Sequence, residues 1–507
     1  MKPFRLITIF ILIALLLPTL AVAEPTPAPT PEETPEPSPT PLFGSGLAYD
    51  DAQRDAREQA HQRILRAVGA RGIYVADASD LSLCYFSRNE HEQFPPGSTT
   101  KIMTALLTIE NIPLDDVAAA PREATRLGGT NTMLGLFTGE EMRVEDLLYG
   151  LMLVSGNDCA ITLAFHLDGS EEAFAERMNA RAASLGMLDT DFTNPCGRNV
   201  GKNLSSPYDM ALLTQEALKN PQFCTIVGTA TYTIPTNAMR TRPKEITNSN
   251  RLVSDRVGKG YHYPDAIGVK TGATALGTCL VTAAKREDVT IICVQLGMKG
   301  EDNEAKRQEL FRRSVQIFDY VFDYEYAHVP AETLVKDYAE SVFVKGASPD
   351  DPEGGMLTVR ADPTGAAAFR PIREIDLLAS GDAAFSVTSE VRASAPVKQG
   401  DPVGTATFSY NGRDWFTLPL IAARDVEPPP TPAPTTPIPI DEDTLPEATP
   451  TATPSPTPAP TAAPTPVPAE PEPARRFRPL WIILPAAALG TAAILIVRSL
   501  CRRKRRS

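Results

Sequence analysis

The sequence predicts an α+β fold in which helices pack on an antiparallel sheet, followed by a small all-β domain and a transmembrane helix. Strand-like runs occur within residues 72–87 and again within 267–296, and helical periodicity dominates residues 99–185 between them. Strands at both ends of such a segment are expected to share one sheet. Short strand-like runs and turns fill residues 332–425, and an apolar stretch occupies 479–497.

The N-terminal segment predicts export from the cytoplasm. Residues 1–23 begin with Lys2 and Arg5, continue as an apolar run and end in Ala-Val-Ala, which is typical of a cleaved secretory signal peptide. An uncleaved N-terminal anchor is the alternative. Residues 24–46 follow as a Pro-rich linker.

The body of the chain is divided into an α+β domain at residues 47–325 and a β domain at residues 326–426. Short polar turns join two pairs of strand-like runs, which indicates β-hairpins. The expected elements of the first domain are a helix at 47–68, strands at 72–78 and 81–87, helices at 99–110, 144–167 and 171–185, strands at 267–271, 279–284 and 289–296, and a helix near 303–322.

The C-terminal segment predicts a tether to a membrane. Residues 427–474 form a Pro/Thr-rich linker, which favours an extended conformation and is interpreted as either a spacer or an inert solvated tail. The apolar stretch 479–497 has nearly the length of a transmembrane helix, and the basic tail 498–507 favours the cytoplasmic side. We therefore expect the body on the extracellular face, anchored at its C-terminus; a buried core helix is the alternative for 479–497.

Composition excludes several classes of function. The net charge is −13 although basic residues are concentrated at both ends, so the body is acidic and nucleic acid is not the expected partner. The cysteines lack C-x-x-C spacing, so no metal site is expected. Those in apolar runs, such as Cys293, are predicted to be buried free thiols.

The first chemical motif is a serine and a lysine three residues apart. Ser98 and Lys101 follow a Pro-Pro-Gly turn and open a helical run, so they share one face of its first turn. A serine hydroxyl needs a base, and a buried lysine that loses its proton can act as one. The alternative is a helix-capping serine beside an exposed lysine.

The second motif interrupts a helical segment at Ser155 and Asn157. The serine could relay a proton between the base and a leaving amine, and the asparagine amide could hold a substrate carbonyl and the lysine. Ordinary turn chemistry is the alternative.

The third motif is Lys270, Thr271 and Gly272 at the end of a predicted strand. An edge strand can bind an extended peptide through its main chain, and glycine allows close approach of a ligand. The lysine and threonine can bind a carboxylate.

The order of the three motifs resembles the penicillin-binding serine acyl-transferases, which include the class A β-lactamases. Residues 94–105, 144–158, 194–197 and 267–274 are similar to the low-molecular-mass penicillin-binding proteins of the D-alanyl-D-alanine carboxypeptidase family. The resemblance covers roughly residues 72–298, and residues 395–404 are more loosely similar to the family's C-terminal β domain. It implies a β-lactamase/transpeptidase-like catalytic domain.

The resemblance also implies a reaction and a role for each site residue. Ser98 would attack the carbonyl between the two terminal D-alanines of a peptidoglycan stem peptide, Lys101 would be the base, and no cofactor is expected. β-Lactam antibiotics would be covalent inhibitors. The remaining roles are the proton relay by Ser155, substrate binding by Asn157, Lys270, Thr271, Gly272 and Arg251, and an oxyanion hole from the N–H groups of Ser98 and Ala273.

Other functions are compatible with parts of this pattern. A β-lactamase would need a deacylating glutamate, and no Glu-x-x-Leu-Asn pattern occurs around residues 194–197. A biosynthetic transpeptidase usually carries a larger extra domain. A non-catalytic wall-binding protein would not need the complete set of catalytic residues found here. The sequence departs from many relatives at Asn203, where histidine is common, and at Pro207, where alanine is usual.

Overall fold

The computed structural model describes residues 51–129, 131–198, 203–253, 260–274, 277–298 and 304–431. The strands are β1 (Gly72–Asp77), β2 (Cys84–Arg88), β3 (Val117–Ala119), β4 (Glu141–Arg143), β5 (Thr231–Ile234), β6 (Lys244–Thr247), β7 (Ala266–Thr274), β8 (Gly277–Arg286), β9 (Val289–Met298), β10 (Tyr326–Pro330), β11 (Ala339–Phe343), β12 (Met356–Ala361), β13 (Ala367–Pro371), β14 (Ser386–Val391), β15 (Pro402–Tyr410) and β16 (Arg413–Ala422).

The α-helices are α1 (Asp51–Ala67), α2 (Lys101–Asn111), α3 (Arg122–Thr125), α4 (Val144–Met152), α5 (Asn157–Asp168), α6 (Glu171–Ser184), α7 (Pro207–Leu218), α8 (Pro221–Gly228), α9 (Glu304–Tyr320), α10 (Ala331–Val335) and α11 (Ile372–Ser380). Short 3₁₀ turns occur at Gly97–Thr100 and Arg251–Val253, and a π-helical turn at Val321–Glu325 follows α9.

The central sheet is antiparallel, with strand order β2-β1-β9-β8-β7. The first two strands of the domain and its last three therefore share one sheet, which confirms the sequence prediction. All six residues of β1 are buried because the strand lies between two neighbours and is covered on both faces. Strand β7 forms an open edge near the three motifs.

Two hydrophobic cores cover the two faces of this sheet. Along β9, Ile292 and Val294 contact the core that contains α2, α4 and α5, whereas Ile291 and Cys293 contact the core that contains α9. Successive strand side chains point to opposite faces, so a continuous apolar run is what a doubly covered strand requires. Helix α2 is buried on all sides over its first eight residues, and it fixes the position of the turn before it.

Local capping explains where several helices begin. The Ser170 hydroxyl accepts from the N–H of Ala173 at the start of α6, and the Ser206 hydroxyl accepts from the N–H of Asp209 at the start of α7. These bonds satisfy backbone donors that have no partner within a helix. Helix α5 ends at Gly169, whose φ of 78° suits glycine.

The first hairpin differs in detail from its prediction. Strand β2 begins at Cys84, three residues later than the predicted second run. The carboxylates of Asp77 and Asp80 accept hydrogen bonds from the backbone N–H groups of Ser79 and Ser82, and these local bonds hold the intervening residues in a turn.

The C-terminal domain is built on a second antiparallel sheet of order β11-β12-β16-β15-β14, beside the pair β10-β13. Its core is separate from the other two and includes Phe408, Trp415 and Phe416. Helices α10 and α11 also belong to this part of the chain, so the expectation of an all-β domain is corrected to a predominantly β domain. Helix α11 buries Ile372 and Ile375, which are three residues apart and share one face.

The central sheet and the C-terminal domain meet at the end of β1. The carboxylate of Asp77 is 1% exposed and accepts a hydrogen bond from the Tyr326 hydroxyl. Arg413 of β16 forms an ion pair with the same carboxylate at 2.9 Å. A buried carboxylate that is paired and hydrogen-bonded in this way fixes the orientation of the elements that supply its partners.

The transmembrane helix in the predicted fold class is wrong for the structure as described. No helix among the described residues is both long enough and apolar enough to cross a membrane. Several predicted segments lie outside the described residues. These are the signal peptide 1–23, the linker 24–46, residues 432–474 of the second linker, the predicted span 479–497 and the basic tail 498–507. The supported architecture is therefore the α+β domain with its small C-terminal β domain.

Candidate active site

Ser98 lies in the 3₁₀ turn that leads directly into α2. Gly97 precedes it with φ = 56°, and a Cβ at that position would lie 2.8 Å from the carbonyl oxygen of Ala273. Glycine is therefore required both by the backbone conformation and by the close approach of β7. This packing holds the half-buried Ser98 against the end of the edge strand.

Lys101 is fully buried and its amine contacts three oxygen atoms. Its Nζ lies 3.0 Å from Ser98 Oγ, 2.7 Å from Asn157 Oδ1 and 2.9 Å from the carbonyl oxygen of Cys196. Burial lowers the pKa of Lys101 to about 8, because the charged form loses its hydration. About a tenth of the molecules then carry a neutral Lys101 at pH 7.

The three contacts around Lys101 define the direction of its lone pair. An ammonium group donates three hydrogen bonds, whereas the neutral amine has two N–H groups and one lone pair. The carbonyl of Cys196 and the amide oxygen of Asn157 accept hydrogen bonds, so they use the two N–H groups of the neutral form. The lone pair then faces the hydroxyl of Ser98, as a general base requires.

The second motif is an interruption between two helices, as predicted. Helix α4 ends at Met152 and α5 begins at Asn157, with Ser155 between them in the left-handed region at φ = 65°. A serine in that conformation is uncommon and is held there by its surroundings. Both Ser155 and Asn157 are nearly buried.

The side chain of Asn157 is fixed at both ends of its amide. Its Nδ2 donates to Asn131 Oδ1 at 2.8 Å, while its Oδ1 accepts from Lys101. Asn131 in turn donates its own Nδ2 to the carbonyl of Gly128. This chain of bonds assigns a donor or acceptor role to each amide atom and keeps the Asn157 oxygen on the lysine.

The third motif forms the other side of the cavity on β7. Lys270 is 1% exposed and its Nζ donates to the carbonyl of Thr271 at 3.0 Å. Burial, together with the nearby charge of Lys101, holds the pKa of Lys270 well below its usual value. The hydroxyl of Thr271 lies 2.8 Å from that of Ser249. A Cβ on Gly272 would lie 2.8 Å from the carbonyl oxygen of Pro96, so this glycine allows β7 to pack on the Ser98 turn.

Arg251 lies in the 3₁₀ turn Arg251–Val253 and lines the same cavity as Ser98. Its guanidinium lies over the ring of Phe311 at 6.0 Å from the centroid, and its Nη1 is 2.5 Å from Glu304 Oε1. The arginine therefore belongs to the wall of the cavity.

One cavity of about 240 Å³ brings the predicted residues together. Lys101, Asn157 and Lys270 are buried behind its wall, and Lys101 and Asn157 connect to Ser98 through hydrogen bonds. The predicted residues that line it are Ser98, Ser155, Arg251, Thr271, Gly272 and Ala273. The arrangement combines a nucleophile, an adjacent base and cationic groups, which is what acyl transfer from a carboxylate-bearing peptide requires.

Sequence reasoning did not identify several residues at the cavity. Asn131 and Thr132 lie in the segment before α4, and both contact Asn157. The side chain of Asn131 accepts from the Asn157 amide, and the Thr132 carbonyl accepts from the backbone N–H of Asn157 at 2.8 Å. Ser249 and Arg307 also line the cavity. Among these residues, only Ser249 could have been suspected from the sequence, because it lies two residues before the predicted site residue Arg251.

The remaining sequence features near the site have structural explanations. Cys293 is a buried free thiol, as predicted, and Cys84, Cys159, Cys196 and Cys224 are free thiols as well. Burial raises the pKa of the Cys196 thiol to about 11, and the carbonyl of this residue accepts the hydrogen bond from Lys101. Asn203 donates to the hydroxyl of Thr100, two residues after Ser98, at 3.1 Å. This departure from many relatives therefore contacts the nucleophile turn.

Comparison with known proteins identifies the family. The model for D-alanyl-D-alanine carboxypeptidase matches residues 67–300, and the model for the C-terminal domain of penicillin-binding protein 5 matches residues 382–428. The D-alanyl-D-alanine carboxypeptidase of a Streptomyces species is 36% identical over 211 residues, which cover 39% of this chain and 70% of that protein. The chain therefore belongs to the D-alanyl-D-alanine carboxypeptidase family.

A longer alignment gives the same family. The D-alanyl-D-alanine carboxypeptidase DacF of Bacillus subtilis is 28% identical over 358 residues, covering 69% of this chain and 84% of that protein. The crystal structure of a Streptomyces DD-transpeptidase is similar with 30% identity and a TM-score of 0.45, covering 50% of this chain and 97% of that chain. The prediction of a serine-type D-alanyl-D-alanine carboxypeptidase, a hydrolase of the penicillin-binding protein class, is confirmed by the family. Family membership also agrees with a cell-wall substrate and with the extracellular face.

Proposed function

We propose that the protein removes the terminal D-alanine from peptidoglycan stem pentapeptides through an acyl-enzyme on Ser98. The observation that carries the proposal is the contact between Lys101 and Ser98 in a buried, fully hydrogen-bonded setting. A lysine with a pKa of about 8 is a competent base near neutral pH, whereas an exposed lysine is not.

The first half of the reaction forms the acyl-enzyme. Ser98 Oγ attacks the carbonyl carbon of the last peptide bond while its proton passes to the neutral amine of Lys101. The N–H groups of Ser98 and Ala273 would stabilise the oxyanion. The C–N bond then breaks, and the departing D-alanine receives a proton from Lys101 by way of Ser155. The remaining peptide is held as an ester on Ser98.

The second half of the reaction releases the peptide. Water attacks the ester carbonyl, with Lys101 as the acceptor of its proton, and the C–O bond to Ser98 breaks. Ser98 regains its proton, and the net change is hydrolysis of one peptide bond. No other reactant is required.

Substrate binding is assigned to the edge strand and to the cationic groups. An extended peptide can pair with the open edge of β7, as in other strand-addition complexes. Thr271 and Arg251 would bind its terminal carboxylate, and Lys270 would add positive potential. Asn157 would contact the part of the peptide that precedes the cleaved bond.

β-Lactam antibiotics are proposed to acylate the same serine. The strained amide of a penicillin carries a carboxylate on one side of the reactive carbonyl, as the natural peptide does. Opening of the ring leaves the amine attached, so no leaving group departs. We also infer that the enzyme acts outside the cytoplasmic membrane, because the N-terminal sequence predicts export and the substrate belongs to the cell wall.

The test combines covalent labelling with peptide hydrolysis. The intact mass of the protein is measured after incubation with benzylpenicillin, beside Ser98→Ala, and release of D-alanine from an N-acylated peptide ending in D-Ala-D-Ala is followed. A lasting adduct on the wild type only, together with D-alanine release, supports the proposal. Rapid penicillin hydrolysis without an adduct would indicate a β-lactamase, and neither reaction in folded protein would indicate a wall-binding protein.

A further inference from the structure

Charged side chains of both signs lie at the cavity or next to it, near the start of α9. Arg251 and Arg307 line the cavity, and Glu304, the first residue of α9, pairs with Arg251. We call these three residues the outer wall. Hydrogen bonds from Arg251 and Gln308 hold the pKa of Glu304 below its usual value, so Glu304 is an anion at neutral pH.

The two members of the ion pair differ in exposure. The Arg251 side chain is 15% exposed and rests on Phe311, whereas the Glu304 side chain is 51% exposed. The arginine is therefore held by the protein, and the glutamate reaches it from the solvent side. An ion pair with one half-exposed partner is weak and can be exchanged for another carboxylate.

We propose that Glu304 is a specificity-determining residue, an internal anion that competes with the terminal carboxylate of the substrate for Arg251. The inference rests on the proposed function, in which Arg251 binds that carboxylate. Both ligands present the same chemical group to the same guanidinium. Either Glu304 leaves the arginine when the peptide binds, or it remains nearby and reduces the positive potential that attracts the peptide.

The charge of Glu304 accordingly weakens binding of carboxylate ligands. Its loss strengthens that binding by about twofold to fivefold, since this is the range expected from a half-exposed ion pair. The interaction with the carboxylate is made equally in the bound peptide and in the transition state. Removal of the competitor therefore lowers KM and leaves kcat nearly unchanged.

The experiment measures peptide affinity without turnover and then with it. The Kd of an N-acylated D-Ala-D-Ala peptide is determined by calorimetry for Ser98→Ala alone and combined with Glu304→Gln. The matched control is Glu309→Gln on the same helix, because Glu309 pairs with Arg312 and Arg313 rather than with Arg251. KM and kcat are then compared for the single variants that retain Ser98.

The expected result is a Kd and a KM twofold to fivefold lower with Glu304→Gln and unchanged with Glu309→Gln. The gain should disappear when Arg251→Gln is also present, since the guanidinium for which the two anions compete is then gone. An unchanged Kd overturns the proposal, and a higher Kd would show instead that Glu304 orients Arg251. These failures leave hydrolysis by the wild type intact, whereas failure of the proposed function abolishes D-alanine release and penicillin labelling in the wild type itself.

Discussion

The two walls of the cavity use charged groups in opposite ways. We call Ser98, together with the Lys101 and Asn157 side chains buried behind it, the inner wall. Its lysine is fully buried and contacts three oxygen atoms of the protein. On the outer wall, Arg251 shares its charge with the half-exposed Glu304. Burial changes the chemistry of the lysine, whereas the arginine can exchange one carboxylate partner for another because its partner Glu304 is half exposed.

This difference separates reactivity from recognition. On the inner wall, each of the three donor positions of the Lys101 ammonium group has an acceptor, so a change there is expected to disturb the direction of the lysine lone pair. The Arg251–Glu304 ion pair of the outer wall is half exposed, so changes there are expected to alter the affinity for a carboxylate without altering the nucleophile. The following predictions test that separation, beginning with the largest effect.

Replacement of Lys101 by methionine should nearly abolish the reaction. Methionine keeps most of the apolar stem and removes the base, so the rate of acylation by benzylpenicillin is expected to fall by about 10²–10⁴. Stopped-flow or mass-spectrometric acylation rates measure the effect. Lys219→Met is the control, because Lys219 is exposed and pairs with Glu216 at a helix end. Acylation within tenfold of the wild type would exclude Lys101 as the base.

Replacement of Arg251 by glutamine should weaken substrate binding. A charged hydrogen bond to a carboxylate contributes roughly 1.5–3 kcal/mol, which corresponds to about a tenfold or larger rise in KM for the peptide. Steady-state kinetics with the N-acylated peptide measure it, beside Arg313→Gln, whose partner Glu309 is not at the cavity. A KM equal to that of the wild type would remove Arg251 from the binding site.

Replacement of Asn131 by alanine should slow acylation less than the two changes above alter their own readouts, because Asn131 acts on the inner wall through Asn157. The Nδ2 group of Asn157 would lose its acceptor, and the amide would no longer be held with its oxygen on Lys101. A neutral hydrogen bond contributes about 0.5–1.5 kcal/mol, so acylation should slow by about twofold to tenfold.

The control for this variant is Asn111→Ala, because the Asn111 side chain donates to the carbonyl of Leu107 in its own helix, at the far end of α2. The peptide Kd in the Ser98→Ala background should change less than the acylation rate does. Equal loss in affinity and rate would mean that Asn131 acts on the bound peptide rather than on the lysine.

Local sequence signals account for the parts of the fold that were predicted correctly and for the local placement of the three motifs. The spacing of Ser98 and Lys101 fixes them on one helical turn whatever the remainder of the fold. The break at residues 155–157 and the strand ending in Lys270 are likewise visible in the local pattern. The strands at the two ends of the domain's sequence could be assigned to one sheet because the helices between them need a common surface.

Contacts between distant segments could not be derived in the same way. Asn131 meets Asn157 across 26 positions, and Asn203 meets Thr100 across 103 positions. The pairing of Arg251 with Glu304 depends on where α9 begins relative to the turn before β7. No periodicity or spacing records these juxtapositions, because they arise from tertiary packing. Helix α11 was missed since its nine residues lie among short strands.

The most direct test of the central claim is the pH dependence of acylation by benzylpenicillin. If neutral Lys101 is the base, a pKa of about 8 predicts that the rate constant rises about tenfold per pH unit below pH 8 and levels off above it. The folded protein should show this profile, and Lys101→Met should lose it. A rate constant that is independent of pH between about 6 and 9, or one that falls above pH 8, would contradict activation of Ser98 by Lys101.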